Sequence, residues 1–389
     1  MAITDKYVSP TATGSGDGSS EASPWTLAQA VSSMASGQRV NIKKGTYTLT
    51  SVLNPSANGV AYRPILWRGY DTTPGDLDDK LTSQISGTLS DAMPVIETSN
   101  SYYVLLDSDV TNLIGLCFKN TSGNRPAIYD RCQMSWRKNC IFIQDASNST
   151  QPAIQIDGGA YRTFMNCEFR AKGDASNSSR YAVRMTQFNV DFHYCYFNAN
   201  GVSSATTNGL VEMYNRFHVF NKCVFDGGST QIKANIESFT AIDCVFHNAG
   251  DDSINVTGNT SLGSSYANGI SVVNCYFSEV GGYAIGNPSP GSLGLATSGI
   301  GVFNNAYYNV TSKFEHMPDT QEYDEIADTS APFEDASAGD FALVSGSNAK
   351  GYGLGSQIQL ASKSHIDVGA MQAEASGGGG ATVHPLRSN

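Results

Sequence analysis

Between Asn139 and Phe277 the chain repeats one short phrase of polar and apolar positions at a nearly constant step. Asn139-Cys140-Ile141-Phe142 returns as Asn166-Cys167-Glu168-Phe169, Tyr194-Cys195-Tyr196-Phe197, Lys222-Cys223-Val224-Phe225, Asp243-Cys244-Val245-Phe246 and Asn274-Cys275-Tyr276-Phe277. Successive cysteines are 27, 28, 28, 21 and 31 residues apart. Asn304-Asn305-Ala306-Tyr307 repeats the shape with Asn in the Cys slot, and Leu116-Cys117-Phe118 reads as a degenerate copy upstream. Cys and Phe, two apart, lie on one face of a strand. An apolar residue recurs three positions earlier: Phe164, Phe192, Phe220, Val272 and Val302. A second apolar strand keeps time between the phrases, as Ile154/Ile156, Val183/Met185, Val211/Met213, Ile232/Ala234, Ile254/Val256 and Ile285.

Each unit therefore has room for two or three short strands and for no helix. A self-similar unit of roughly 20–30 residues signals a solenoid, in which each strand pairs with its copy one turn on. The pattern predicts an all-β, single-stranded parallel β-helix over residues 40–315. About ten rungs at about 4.8 Å each make a rod on the order of 50 Å long.

Flanking segments break the pattern. Residues 1–39 read as an N-terminal arm and cap, in which Leu27, Ala30, Val31 and Met34 recur at helical spacing. Ser23 before Pro24 is the expected helix start and Gly37 the stop. An amphipathic lid suits the open end of a solenoid, which otherwise exposes strand edges and core. Residues 316–376 read as a C-terminal cap segment, and 377–389 as a Gly-rich linker and tail. Residues 315–340 hold nine acidic residues and no Lys or Arg, as expected of a charged solubilising loop. Ser/Thr/Asn/Gly-rich insertions (Ala146–Gln151, Gly173–Arg180, Asn200–Asn208, Asn259–Asn268, Asn287–Ser298) are expected at equivalent places of the units, on the binding side.

Composition narrows the function classes. The net charge of −11 and pI near 4.9 argue against nucleic acid or an anionic membrane as partner. No run of about 18 apolar residues is present, and Met1–Lys6 lacks the apolar stretch of a secretory signal. Six of the eight cysteines fall in one repeat column, so they are expected as reduced packing thiols rather than as a disulfide or metal framework. Six Asn-x-Ser/Thr sequons (Asn120, Asn148, Asn177, Asn255, Asn259, Asn309) are what chance yields in such a composition.

Tyr7-Val8-Ser9-Pro10, the Trp25–Met34 helix, the strand at Val40, Gly45-Thr46-Tyr47 and Pro64-Ile65-Leu66-Trp67-Arg68-Gly69-Tyr70 resemble the opening rungs of pectate-lyase-like right-handed parallel β-helix proteins. Pro332-Phe333, Gly339-Asp340-Phe341-Ala342-Leu343 and Ile366-Asp367-Val368-Gly369-Ala370 resemble their closing segment. The resemblance spans about residues 7–372 and implies a right-handed coil. That superfamily holds lyases, hydrolases, phage tail spikes and virion proteins alike, so the fold does not choose among them.

Enzymes of this kind work on an external strand face. Between the apolar pairs of the second strand stand Gln155, Arg184, Glu212, Lys233 and Asn255, with Asp157, Thr186, Tyr214, Asn235 and Thr257 in a second outward row. Arg184, Glu212 and Lys233 form an exposed alternating charge ladder. With Tyr214, Asn235 and Asn255 they are the expected glycan contacts, unless the ladder serves only to avoid stacking like charges. Acid/base candidates are Asp251 and Asp252, which resemble the aspartate pair of polygalacturonase-like glycosidases without the rest of that pattern. A lyase reading would use Lys233 as base beside calcium held by Asp251, Asp252 and Glu212, a thin oxygen set for that ion. Otherwise no cofactor is expected. His193, His218 and His247 occupy different repeat positions and form no column.

Two function classes follow. The first is a non-enzymatic phage virion protein, a capsid decoration or accessory fibre, made in the host cytoplasm. Its expected partners are other virion proteins, bound through the C-terminal tail, further copies of itself in a homotrimer, and a surface glycan. The incomplete catalytic pattern and the missing leader favour it. The alternative is a polysaccharide lyase or glycoside hydrolase acting on a host or environmental glycan.

Overall fold

Parallel pairing at a one-rung step accounts for nearly all the architecture. The computed structural model describes residues 3–55, 63–80, 88–99, 101–107, 110–122, 124–145, 151–171, 181–199, 209–257, 269–286, 300–315, 321–323, 325–338 and 340–350. Twenty-eight strands form one continuous sheet, coiled into three columns that we call sheets 1, 2 and 3. In one rung the chain runs Val190–His193 in sheet 1, Tyr196–Asn198 in sheet 2, then the start of Val211–Asn221 in sheet 3. Every pairing between rungs is parallel, for example Val190 beside Arg162 and Tyr196 beside Glu168. The ten rungs expected over 40–315 are present in sheet 1, from Gln38–Lys43 to Ile300–Phe303. Thr4–Val8 adds a further sheet 1 strand ahead of them.

The repeated phrase marks the corner between sheets 1 and 2. Asn139, Asn166, Tyr194, Lys222, Asp243, Asn274 and Asn304 all have φ between 51° and 56°. One residue in the left-handed region turns the chain, and Asn and Asp tolerate that region best. Their side chains also ladder: Asn166 Nδ2 donates to Asn139 Oδ1 (2.6 Å), Asn274 to Asp243 Oδ1 (3.1 Å) and Asn304 to Asn274 Oδ1 (2.9 Å). The next residue points inward, where only a small side chain fits. Cysteine fills it, with Cys140 Sγ donating back to the Lys138 carbonyl (3.3 Å) and Cys275 to Val273 (3.3 Å). Asn305 completes that column, accepting from the Cys275 N–H (2.7 Å) and donating to the Val272 carbonyl (3.1 Å). In the degenerate copy Leu116 takes this slot, while Cys117 pairs with Ile141 on the outer face. All eight cysteines are free and buried.

The phenylalanines stack as the repeat predicts. Phe118, Phe142, Phe169, Phe197, Phe225, Phe246, Phe277 and Tyr307 form one column with ring centroids 4.7–5.7 Å apart. Phe164, Phe192 and Phe220 form a second, packed edge-on against the first. Such pairs add about 0.5–1.5 kcal/mol each beyond area burial.

One polar group interrupts the core. Arg137 takes the inward slot above Phe164 and is fully buried beside Arg162 and Asp130. Asp130 Oδ2 lies 2.9 Å from Arg137 Nε and Oδ1 lies 3.2 Å from Arg162 Nε. Backbone carbonyls of Thr111 and Trp136 accept from Arg137 Nη1, and that of Gly158 accepts from Arg162 Nη2.

At the N-terminal end the lid is the helix Leu27–Ser33. Its cap is Thr26 rather than Ser23: Thr26 Oγ1 accepts from Gln29 N (3.2 Å) and Gln29 Oε1 from Thr26 N (2.9 Å), a capping box. Its C-cap is Met34, ahead of Gly37. Two apolar covers close the outside of sheet 2. Leu77 and Met93 pack on Val95, Cys117 and Ile141, and Phe333, Phe341 and Leu343 pack on Val224, Val245 and Tyr276. Neither cover lies on sheet 3.

Four of the five insertions, and all but Gln151 of the fifth, lie outside the described residues, as do Ile366–Ala370, the 377–389 tail and sequons Asn148, Asn177 and Asn259. The insertions do not fall at one equivalent place. Residues 146–150, 172–180 and 200–208 connect sheet 2 to sheet 3, whereas 258–268 and 287–299 connect sheet 3 to sheet 1.

Two measurements check this core. A thiol reagent finds no cysteine in the native protein and all eight in denaturant. Asp130→Ala strands two buried guanidinium groups and lowers unfolding free energy by about 3–5 kcal/mol in a denaturant titration.

Candidate functional site

The outer face of sheet 3 collects the polar residues that the repeat sends outward. Gln155, Arg184, Glu212, Lys233 and Asn255 follow one another in register, and Gly286 continues the column. Tyr214 and Asn235 are paired in the second row.

The charge ladder is not an exposed one. Glu212 is only 5% exposed, enclosed by its neighbours on both rungs. Its Oε2 lies 3.1 Å from Arg184 Nε, its Oε1 lies 3.6 Å from Lys233 Nζ, and the Tyr214 hydroxyl donates to Oε1 (3.1 Å). Arg184 also lies over the Tyr214 ring, 5.6 Å from its centroid. Burial and the Glu212 charge raise the Tyr214 phenol above its ordinary value. The cations stay in reach of solvent, their side chains 39% and 38% exposed. Two cations therefore share one carboxylate, leaving a surplus positive charge on an acidic protein.

The aspartate pair divides. Asp251 is exposed, whereas Asp252 is 4% exposed at the entrance to the strand Ile254–Val256. Asp252 Oδ1 accepts the Tyr283 N–H (2.9 Å) and Oδ2 accepts from Asn255 Nδ2 (3.1 Å). The next rung makes room for it with two glycines. A Cβ on Gly286 would lie 2.4 Å from Oδ2, and one on Gly282 2.7 Å from Oδ1. Burial, opposed by those hydrogen bonds and aided by the charge of Asp251, pushes the Asp252 carboxyl up to about 6. Asn255 Oδ1 and Asn235 Nδ2 are buried without hydrogen-bond partners among the described residues.

The residues nominated from sequence thus share one face, with Asn255 joining Asp252 to the ladder. Glu212, however, is engaged by two cations and a phenol. Among the described residues no group of three or more His, Cys, Asp or Glu is placed to hold a metal ion. Tyr283, Gly282 and Gly286 were missed. Their signal is Gly281-Gly282-Tyr283 and Gly286, one rung after the Asp pair.

A second polar group lies on sheet 2, between its two apolar covers. Arg170 pairs with Glu168 (2.5 Å), and the Tyr196 hydroxyl donates to Asp226 Oδ2 (2.8 Å). Asp226 adjoins His247, which lies edge-on to Phe333 and Phe341. Burial raises the Asp226 carboxyl and lowers the His247 imidazole. The His247 ring braces the C-terminal cover.

The Asp252 carboxyl makes a checkable prediction. Its folded value lies above the usual 3.8, so the native state holds the proton more tightly than the unfolded chain. That contribution is fully present below about pH 4 and is lost as pH rises to about 6, at most about 3 kcal/mol. Asp252→Asn abolishes this decline, because Asn255 can flip its unpaired Oδ1 toward the new amide. Denaturant titrations of both proteins between pH 4 and pH 7 read the difference.

No family model matches the sequence, and no curated protein matches it. Solved structures do. The fold is similar to that of pectate lyase Pel9A, at TM-score 0.69 and 16% identity over 96% of this chain and 98% of that one. It is similar to a rhamnogalacturonan lyase at TM-score 0.50 and 13% identity, over 82% of this chain and 84% of that one. Both are enzymes named for polysaccharides. They overturn the expectation of a non-enzymatic virion component and favour its alternative, an enzyme acting on a glycan. This chain has the right-handed parallel β-helix fold of the pectate-lyase-like proteins.

Proposed function

We propose that the outer face of sheet 3 binds an anionic polysaccharide and cleaves it by β-elimination. The observation that carries this reading is the surplus positive charge of Arg184 and Lys233 over Glu212, set beside a carboxyl whose pKa is near 6.

The chemistry asks for three things. A uronate carboxylate must be neutralised so that the neighbouring C–H becomes acidic. A base must take that proton, and the glycosidic oxygen must leave as the C=C bond forms. Lys233, paired to Glu212 at 3.6 Å, is placed for the first task with Arg184 rather than for the second. Asp252 suits the second: a base is most effective with a pKa near the working pH. The Tyr214 ring, stacked under Arg184, offers an apolar face to a pyranose. The leaving oxygen takes its proton from solvent, and no oxidant or cofactor is consumed.

Incubation with polygalacturonate, alginate and rhamnogalacturonan, followed by absorbance of unsaturated ends and by reducing-sugar release, tests this. Elimination yields both signals together. Reducing ends alone would indicate hydrolysis, with Asp252 as acid, and would overturn the elimination step. Lys233→Ala is expected to lower kcat/KM about 10²–10³-fold. Asp252→Asn is expected to lower kcat about 10²–10⁴-fold. Wild-type kcat/KM should rise with pH through an apparent pKa near 6, because the base must be ionised. Inactivity of the wild type on every anionic polysaccharide tried would overturn the assignment.

A further inference from the structure

On six of the rungs the corner between sheets 3 and 1 also turns on a left-handed residue. Val110, Met134, Tyr161, Asn189, Phe217 and Gly269 hold this position, with φ of 52°, 46°, 61°, 56°, 65° and 85°. Asn and Gly suit it, whereas bulky side chains rarely adopt it. Met134, Tyr161 and Phe217 nevertheless occupy it, and burial does not compensate them. They are 55%, 64% and 55% exposed, and Phe188 beside Asn189 is 42% exposed. A strained, solvent-facing aromatic at a position where asparagine fits is an expense to the fold, and such strain points toward function.

The ridge borders the candidate site. Within its rung Phe217 follows Glu212 by five residues and Tyr214 by three. The Arg216 guanidinium lies 5.2 Å from the Phe217 ring centroid, and one strand away Arg184 lies over Tyr214. Charged ladder and aromatic ridge thus run side by side along the rod. Tyr161 stands two rungs from Phe217, and Met134 one rung further. At about 4.8 Å per rung this spacing is commensurate with the repeat of an extended pyranose chain.

We propose that the ridge of Met134, Tyr161 and Phe217 is a second carbohydrate-binding element, which grips a long polysaccharide laid along the rod axis beside the charged face. This rests on reading sheet 3 as a polysaccharide face, and it adds that the substrate is a polymer spanning several rungs. The apolar faces of its pyranose rings pack on the exposed side chains while its carboxylates meet Arg184 and Lys233. Rings in line give a polymer several weak contacts at once, so holding the chain at one makes the next nearly intramolecular.

The test is the double variant Tyr161→Asn, Phe217→Asn, which installs the residue that the backbone prefers. Its melting temperature is expected to rise by about 1–3 °C, so loss of function cannot be charged to misfolding. Retardation in affinity gels containing polygalacturonate, alginate or rhamnogalacturonan is expected to weaken about tenfold. On a cleaved polymer KM should rise by a similar factor, while turnover of short oligosaccharides stays unchanged. Unchanged retardation in the double variant overturns the proposal, as does loss of a wild-type dimer in ultracentrifugation without any change in glycan binding. Gel retardation also separates the two readings. A wild type that is retarded but cuts nothing, with retardation lost in the double variant, keeps the ridge and refutes the cleavage. A wild type that cuts with KM indifferent to the double substitution does the reverse. A wild type retarded by none of these polymers refutes the ridge outright.

Discussion

In-register parallel stacking is the constraint on which everything else depends. Each side chain meets its own counterpart about 4.8 Å above and below, so a residue is judged by how well it stacks on a copy of itself. Inside, this selects planar rings and small thiols, seen in the Phe118–Tyr307 column and the Cys140–Asn305 column. It also demands that the chain turn sharply at the same place on every rung. The left-handed residue before each cysteine does that, and its amide side chain, where it has one, bonds to the rung beneath.

Outside, the same rule governs charge. Two like charges one rung apart repel by about 1 kcal/mol in water and by more where solvent is excluded. The column Arg184, Glu212, Lys233 avoids this by alternating, and the alternation buries the middle acid between two cations. The arrangement is therefore both a stacking solution and a source of unspent positive charge. Asp130 solves the same problem inside the rod, where two guanidinium groups share one carboxylate. There the partners are sealed in, and backbone carbonyls accept from both guanidinium groups. Identical chemistry yields a structural element in one place and a candidate ligand site in the other, and solvent access is the difference.

Much of this was legible from spacing alone. A period near 28 residues with fixed inward pairs leaves one architecture, and it also identified the outward row of sheet 3 correctly. What spacing could not reveal was set by groups a full rung away. Asp252 is buried and its proton held because Gly282, Gly286 and the Tyr283 N–H lie against it, some thirty residues downstream. Glu212 looked exposed because a period-2 pattern says only which way a side chain points, not what folds over it. The helix cap moved from Ser23 to Thr26 because Gln29 completes a reciprocal pair there. The role of Asn at the head of each phrase went unread, since a backbone angle leaves no trace in hydropathy. The incomplete glycosidase pattern speaks to one arrangement of carboxylates and not to the cationic face present here.

The geometry of the rod also limits what it can recognise. The outer side of a sheet is shallow and cannot by itself enclose a small molecule in the concave pocket such ligands need. What it can offer is the same kind of contact repeated at each rung, which suits an extended chain with a comparable repeat. Sheet 3 is free of both apolar covers that close sheet 2, and the chain's long connections join it on either side. Among the described residues, a face clear of those covers and lined by alternating charge fits a polymer better than a metabolite. The strained aromatics beside it then make physical sense. They stand where a chain lying along the ladder would pass.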